Sequence, residues 1–159
     1  MIQKINFSMP TVFQLQAIEK ACFGRDAWTI NNIVSEFQNE YSHIFCETLN
    51  EQIVGYACVR IMYEEAQICN IAVLPDYRRQ GIATRLLEAV HELAVDEGCE
   101  RSELEVNVAN APAIELYKKC GYEIAGKRVN FYRRTRYPSR DAYTMVKALG
   151  AGSQTGEED

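Results

Sequence analysis

The fold is decided by two neighbouring stretches, Ile68-Cys69-Asn70-Ile71-Ala72-Val73 and Arg78-Arg79-Gln80-Gly81-Ile82-Ala83. The first is typical of a buried strand, and the second opens a segment with apolar residues at helical spacing. A helix that follows such a loop begins with unpaired backbone N–H groups at the positive end of its dipole, and these groups bind anions. Gly81 lets a phosphate approach the backbone without a Cβ in the way. The sequence therefore predicts a pyrophosphate site at this strand-to-helix turn.

Common nucleotide-binding motifs do not fit this loop. A Walker loop ends in Gly-Lys-Ser/Thr, and a Rossmann fingerprint needs G-x-G-x-x-G, whereas this loop has Gly81 alone. The loop also lies mid-chain, after an antiparallel meander, which suits neither fold.

Composition indicates an ordinary globular chain. Its 159 residues are enough for one domain with a proper core, and the net charge is -5. This acidic balance argues against a nucleic-acid surface and is compatible with a basic protein or peptide substrate. No apolar run is long enough for a membrane span, and the N-terminus is not that of a signal peptide. We therefore expect no membrane partner, no direct nucleic-acid partner and a cytoplasmic location.

Cysteine and histidine spacing predicts no metal site. The six cysteines form no C-x-x-C pair and are expected to be buried, reduced thiols. The histidines, His43 and His91, have no partner at metal-ligand spacing. We expect His91, on a helix, to be a surface or capping residue.

The remaining periodicity predicts a mixed α/β sheet in one domain. A run of three strands in the first half favours an antiparallel meander, and strands alternate with helices in the second half. We expect a domain over residues 1–147 and a disordered tail over residues 148–159. The predicted strands are Met1–Phe7, Ser42–Leu49, Ile53–Met62, Ala66–Val73, Arg101–Val108, Tyr122–Lys127 and Ala142–Lys147, and the predicted helices are Pro10–Cys22, Ile30–Phe37, Ile82–Glu97 and Pro112–Cys120.

Two stretches carry a resemblance to a known family. Val73–Ala83 reads V-L-P-D-Y-R-R-Q-G-I-A, and Asn107–Tyr122 reads N-V-A-N-A-P-A-I-E-L-Y-K-K-C-G-Y. Both resemble segments of the GNAT superfamily of N-acetyltransferases, whose acetyl-CoA loop is Arg/Gln-x-x-Gly-x-Gly/Ala. The resemblance implies a GNAT-type, mostly antiparallel central sheet with helices on both faces, and acetyl-CoA as co-substrate without a metal.

The resemblance also implies where acetyl-CoA binds. The backbone of Ile71, Ala72 and Val73 is expected to pair with the pantetheine arm like an added strand. The loop and first helical turn are expected to hold the pyrophosphate, through Arg79, Gln80, Gly81, Ile82, Ala83 and Thr84. Asn110 either caps the short helix that follows it or bonds the pantetheine, and the family implies the second. Arg78 either assists the loop or is a solvated surface charge.

Two residues are candidates for acid–base chemistry. Glu105 stands where the family has its general base, although Glu103 lies on the same predicted strand face and a solvated carboxylate would look alike. Tyr117 stands where the family has the acid that protonates the thiolate leaving group. Its apolar neighbours at helical spacing also fit a core tyrosine.

Within the superfamily, the chain is most similar to the RimI family of bacterial ribosomal-protein alanine N-acetyltransferases. This match rests on Trp28, Leu104-Glu105-Val106, Asn110 with Tyr117, and Arg128-Val129-Asn130-Phe131-Tyr132. It implies a basic protein N-terminus as acceptor, that of a small-subunit ribosomal protein, with Trp28 and Tyr132 lining the peptide groove. Asp26-Ala27-Trp28 replaces the expected Phe-Pro-Trp, so acetylation of a lysine or small amine, or a non-catalytic acetyl-CoA-binding module, stays open.

Overall fold

The computed structural model describes residues 1–150, and all structural statements below concern these residues. Short 3₁₀ turns over Gly24–Asp26 and Pro75–Tyr77 separate some of the larger elements. No helix in residues 1–150 is both long and apolar enough to cross a membrane. The helices are α1 (Met9–Phe23), α2 (Ile30–Gln38), α3 (Ile82–Asp96) and α4 (Ala111–Lys119); the strands are β1 (Ile2–Lys4), β2 (Ser42–Leu49), β3 (Gln52–Met62), β4 (Glu65–Val73), β5 (Arg101–Asn107), β6 (Glu123–Arg128) and β7 (Ala142–Ala148).

The strands form a mixed, mostly antiparallel sheet in the order β1-β2-β3-β4-β5-β7-β6. Strand β4 runs parallel to β5, with Glu65–Gln67 opposite Arg101–Glu103. Pairing is antiparallel between β1 and β2, β2 and β3, β5 and β7, and β6 and β7. This arrangement confirms the predicted fold class.

Each of two compact units has its own buried residues. The first comprises residues 1–60 and 69–90, and the second comprises residues 61–68 and those from His91 onward. The core of the first unit consists of Val12, Leu15, Ile18, Ile33, Ile44, Cys46, Ile53, Tyr56, Cys58 and Ala72. Buried residues of the second unit include Leu104, Val106, Ile114, Tyr117, Tyr122 and Met145.

Local signals explain where the helices begin. The Thr29 hydroxyl accepts a bond from Asn32 N (3.1 Å), and the Asn32 side chain accepts one from Thr29 N (2.9 Å), which is a complete capping box. Helix α1 begins after Ser8, whose hydroxyl accepts from Thr11 N. The Thr29 cap was predicted and is confirmed, whereas the Ser8 cap was not foreseen.

The two outer strands differ from their neighbours. Strand β1 pairs over only three residues, so it is shorter than the predicted Met1–Phe7. Strand β6 is exposed along its whole length and has an irregular register between Ile124 and Gly126. Lys127 and Arg128 lie at its C-terminal end.

Two further expectations need correction. Strand β7 includes Ala148, and Leu149 is buried with its N–H bonded to Glu100 O (2.9 Å), so the fold continues past the predicted boundary at Lys147. The rest of the predicted tail, residues 151–159, lies outside the described residues. His91 is neither a cap nor a freely exposed side chain, because its Nε2 lies 2.7 Å from the Tyr122 hydroxyl and it is partly buried.

Candidate active site

The predicted pyrophosphate loop has the backbone of an anion-binding turn. Arg79 (φ +64°) and Gly81 (φ +79°) both adopt left-handed conformations, with Gln80 between them. Gly81 O accepts the bond from Arg85 N (3.0 Å), so α3 begins directly after Gly81. The N–H groups of Ile82, Ala83 and Thr84 therefore occupy the first turn, which has no intrahelical acceptors for them. A phosphate can bind to such a concave run of donors.

Two arginines hold the loop in place. Arg78 Nε donates to Val73 O (3.0 Å), which ties the loop to the end of β4. Arg85 Nη1 donates to Gln80 O (3.0 Å), and its Nη2 lies 3.0 Å from the buried carboxylate of Glu47. Arg78 thus has a structural contact that a purely solvated charge would lack. Arg85 was not predicted, although it follows Gly81 by four residues and so lies on the same side of the helix start.

The predicted pantetheine segment is the last part of β4. Ala72 and Val73 are buried, and Ile71 is partly buried. Ile71 N donates to the side-chain oxygen of Asn70 (3.0 Å), and Val73 O already accepts from Arg78 and from Cys22 Sγ (3.2 Å). A pantetheine arm that paired with this segment would therefore bond backbone groups other than the Val73 carbonyl.

A buried carboxylate next to this segment was missed. Glu19, in α1, is fully buried and accepts from Trp28 N (2.7 Å), Asn70 Nδ2 (2.5 Å) and the Tyr56 hydroxyl. Burial raises the pKa of Glu19 above its ordinary value, against the lowering effect of these hydrogen bonds. The network fixes the backbone at Trp28 and, through Asn70, at Ile71. The feature of the sequence that could have revealed this network is a glutamate among the apolar residues of α1 that face the core.

Glu105 lies in the middle of β5, in the second unit. Its Oε1 accepts from Gln67 Nε2 (3.0 Å), and its Oε2 is 3.5 Å from both Arg128 Nε and Thr144 Oγ1. The side chain is 13% exposed, so it reaches solvent without being freely solvated. Leu104 and Val106 are buried on the opposite face, which confirms the predicted alternation of the strand.

Two buried tyrosines of the same unit have raised pKa values, and the charge of Glu105 contributes to one of them. Burial, followed by the charges of Glu105 and Tyr137, raises the pKa of Tyr132 to about 12. Burial, followed by Tyr132, also raises the pKa of Tyr117 well above its ordinary value. Glu105, Tyr132 and Tyr117 lie in the same unit and are here called the carboxylate–tyrosine group. Both phenols retain their protons at neutral pH.

The other candidates have different surroundings. Asn110 caps α4, with its side-chain oxygen accepting from Ala113 N (3.3 Å), so the capping role is present and a bond to pantetheine stays a prediction. Glu103 lies near two other carboxylates. Burial, and then the charges of Glu65 and Glu105, raise its pKa. The charges of Arg128 and Arg101 lower the pKa of Glu103 by less.

The first unit thus offers an anion-binding helix start, and the second offers a carboxylate and two protonated phenols. A sequence model described as the acetyltransferase (GNAT) family matches residues 12–122. The chain belongs to the GNAT acetyltransferase family. The match contains the loop, Glu105, Asn110 and Tyr117, so this acetyltransferase carries its candidate residues within the family's own segment.

The chain is similar to several proteins whose activity or ligand is named. This acetyltransferase is 35% identical over 108 residues to the [ribosomal protein bS18]-alanine N-acetyltransferase of Escherichia coli K12, covering 68% of this chain and 72% of that relative. The crystal structure of the Escherichia coli ribosomal-protein-S18-alanine N-acetyltransferase matches with a TM-score of 0.82 at 30% identity, over 94% of each chain. A GNAT acetyltransferase from Elizabethkingia anophelis with acetyl-CoA bound has the same fold, with a TM-score of 0.76 at 20% identity over 94% and 97% of the two chains.

Proposed function

We propose that this enzyme transfers the acetyl group of acetyl-CoA to the N-terminal α-amine of a ribosomal protein whose first residue is alanine. The observation that carries the proposal is the setting of Glu105, a largely buried carboxylate held by Gln67 Nε2 (3.0 Å) in the same unit as the protonated phenols of Tyr117 and Tyr132. The names of the relatives support this acceptor.

The loop at the start of α3 fits the pyrophosphate of acetyl-CoA. Its donors are the backbone N–H groups of the first helical turn, and Arg79 and Gly81 before that turn both have positive φ, as in anion-binding backbone turns. Arg85 keeps Gln80 in place by bonding its carbonyl. We propose that Ile71, Ala72 and Val73 hold the pantetheine arm with Asn110. Acetyl-CoA supplies an activated thioester, and this chain's residues position it and move protons.

The choice of acceptor follows from the cost of making a neutral amine. A chain's α-amine has a pKa of about 7.7–8.0, against about 10.4 for lysine, so its deprotonation costs ~3–4 kcal/mol less. One carboxylate is enough as general base for that task. Glu105 accepts the proton, directly or through a water, while Gln67 Nε2 holds its other oxygen (3.0 Å).

Tyr117 is the proposed general acid. Its ring is buried, and burial raises the pKa of the phenol above its ordinary value, so the hydroxyl carries the proton that it is proposed to donate. Proton donation to the sulfur completes the transfer. Trp28 and Tyr132 are proposed to contact the acceptor peptide.

The proposal is tested with radiolabelled acetyl-CoA and two peptides matched in length. One begins with a free alanine followed by basic residues and contains no lysine, and the other has a blocked N-terminus and an internal lysine. We expect label on the free-alanine peptide alone. Label on the lysine peptide, or on neither, would overturn the proposed acceptor. A third peptide, identical to the first but with an acetylated alanine, controls for transfer elsewhere.

A further inference from the structure

Three metal-ligating side chains meet outside the proposed active site. Glu36 (α2), Cys58 (β3) and Cys69 (β4) each direct one donor atom into a common volume, and these atoms all lie within 4.8 Å of one another. We refer to them as the Cys–Glu cluster. Two sulfurs and a carboxylate oxygen form a donor set that suits zinc.

The spacing within the cluster matches a tetrahedral ion. Cys58 Sγ lies 3.5 Å from Glu36 Oε1, and the Cys69 Sγ atom lies within 4.8 Å of both. With Zn–S of about 2.3 Å and Zn–O of about 2.0–2.2 Å, the sulfur-to-oxygen edge of a tetrahedron is about 3.5 Å and the sulfur-to-sulfur edge about 3.8 Å. The 3.5 Å between Cys58 Sγ and Glu36 Oε1 matches the first of these edges, and the other two distances are no longer than 4.8 Å.

The surroundings of Glu36 are those of a supported metal ligand. Arg60 donates to both carboxylate oxygens, with Nε 3.2 Å from Oε1, and Ser42 Oγ donates to Oε1 (2.5 Å). A carboxylate has about four lone-pair sites, and hydrogen bonds from outer groups orient ligating carboxylates in known sites. Two thiolates and one carboxylate carry three negative charges, which Zn²⁺ and the Arg60 guanidinium balance.

A path to the cluster is also present. Glu36 and Ser42 line a cavity of about 280 Å³, together with β1 and β2 residues that include Lys4 and His43. Cys58 is fully buried, whereas Cys69 is only partly buried. An ion can therefore approach Glu36 from the cavity, and Cys69 is the more accessible of the two thiols.

We propose that the Cys–Glu cluster is a zinc site, with the thiolates of Cys58 and Cys69 and the carboxylate of Glu36 as ligands. Binding replaces the two thiol protons with the ion, so two protons are released and nothing is oxidised or reduced. Cys69 precedes Ile71 by two residues in β4, so the ion would brace the strand that carries the proposed pantetheine segment. This inference does not depend on the acceptor substrate.

Cobalt titration of the full-length protein tests the site. The protein is reduced, stripped of metal with a chelator, and titrated with Co²⁺, whose thiolate charge-transfer absorbance reports sulfur ligands. We expect saturation at one equivalent and loss of the band when Zn²⁺ is added. Cys69→Ser and Cys58→Ser should each weaken Co²⁺ binding by at least about 100-fold, and Arg60→Gln by about 10–100-fold.

Cys46→Ser is the matched control, because Cys46 is fully buried in the neighbouring strand β2 and is not part of the cluster. It should bind Co²⁺ as the parent does. Absence of the band in the parent protein would overturn the proposal, as would a band that persists in the Cys58→Ser/Cys69→Ser double variant. Should Cys58→Ser fail to fold by circular dichroism, the partly exposed Cys69→Ser carries the test.

Discussion

Glu105 lies between a neutral donor and a cation, with Gln67 Nε2 3.0 Å from one oxygen and Arg128 Nε 3.5 Å from the other. Glu105→Gln keeps the size of the side chain but cannot accept the proton of the attacking amine. We expect kcat to fall by about 10²–10⁴-fold, the usual contribution of a general base. Acetyl-CoA binding, measured by calorimetry, should be unchanged.

Glu103→Gln is the control for this substitution, since Glu103 lies two residues away on the same strand and carries the same charge. It should leave kcat within about threefold of the parent, a change of less than 1 kcal/mol in the barrier. Equal losses in the two variants would mean that charge on this strand, and not proton transfer at Glu105, supports the reaction.

Tyr117→Phe removes a hydroxyl and leaves the buried ring. The T-shaped contact with Tyr122 (5.9 Å between ring centroids) should persist, so the melting temperature should change little. Without the proton donor we expect kcat to fall while KM for acetyl-CoA stays the same. Stopped-time assays with the free-alanine peptide measure both constants, and a parent-like kcat would assign Tyr117 to the core alone.

Individual residues show where sequence reasoning reaches its limit. The alternation along β5 was predictable because it depends on neighbouring positions, and it identified the face of Glu105. The burial of Glu19 was not predictable, because its partners Tyr56 and Asn70 lie 37 and 51 residues away in the sequence. The Cys–Glu cluster was missed for the same reason. Its residues are far apart in the chain, and the sequence shows no ligand spacing.

At the scale of elements, the turn before α3 couples backbone conformation to cofactor binding. Gly81 has φ +79°, and a Cβ there would lie 3.2 Å from Arg85 Nη1. Gly81→Ala should cost about 1–3 kcal/mol in backbone strain and should displace the donors of the loop. We therefore expect KM for acetyl-CoA to rise at least tenfold in steady-state kinetics.

Gly98→Ala is the control that distinguishes an effect of backbone strain on stability from an effect on acetyl-CoA binding. Gly98 has φ +86° with open space around a Cβ, and it follows the other end of α3. It should lose stability like Gly81→Ala but keep the parent's KM. A similar rise of KM in both variants would show that lower stability, and not the loop, weakens acetyl-CoA binding.

His91 gives α3 a pH-dependent contact. Burial, with a smaller effect of Lys147, lowers the pKa of His91 to about 4, against about 6.5 in an unfolded chain. Between these values the unfolded chain binds more protons, so the free energy of unfolding falls as pH decreases from about 7 to 4, by up to about 3 kcal/mol. Urea unfolding at pH 7, 6 and 5 should show this slope.

The slope should be reduced in His91→Gln, which can still bond the Tyr122 hydroxyl but does not titrate. Parallel slopes in the two proteins would assign the pH dependence to other groups.

Element boundaries were predictable to the extent that they depend on local signals. The Thr29 cap and the bounds of β2 follow from nearby residues and were confirmed. The length of β1 was overestimated because pairing with β2, at only Ile2–Lys4, decides where that strand ends. Likewise β7 continues to Ala148 because its partner β5 begins opposite, at Arg101.

At the scale of the whole molecule, acetyl-CoA should stabilise the folded chain by mass action. A ligand present at 100 times its Kd adds about 2.7 kcal/mol to the free energy of unfolding. For a chain of this size that corresponds to a rise of about 5–10 °C in the melting temperature. Differential scanning fluorimetry with and without acetyl-CoA measures the shift, and adenosine at the same concentration is the control.

Gly81→Ala should show a smaller shift than Gly98→Ala at equal acetyl-CoA concentration. An equal shift in both would contradict the assignment of the pyrophosphate to the loop.

The two outer strands bear on how the protein behaves at high concentration. An edge strand with free backbone groups can recruit a strand from another molecule and start aggregation. Strand β1 offers only three residues for this, and β6 combines an irregular register with Lys127 and Arg128 at its end. A second chain therefore finds little regular, uncharged edge to extend. These features favour a protein that stays in solution when it is crowded.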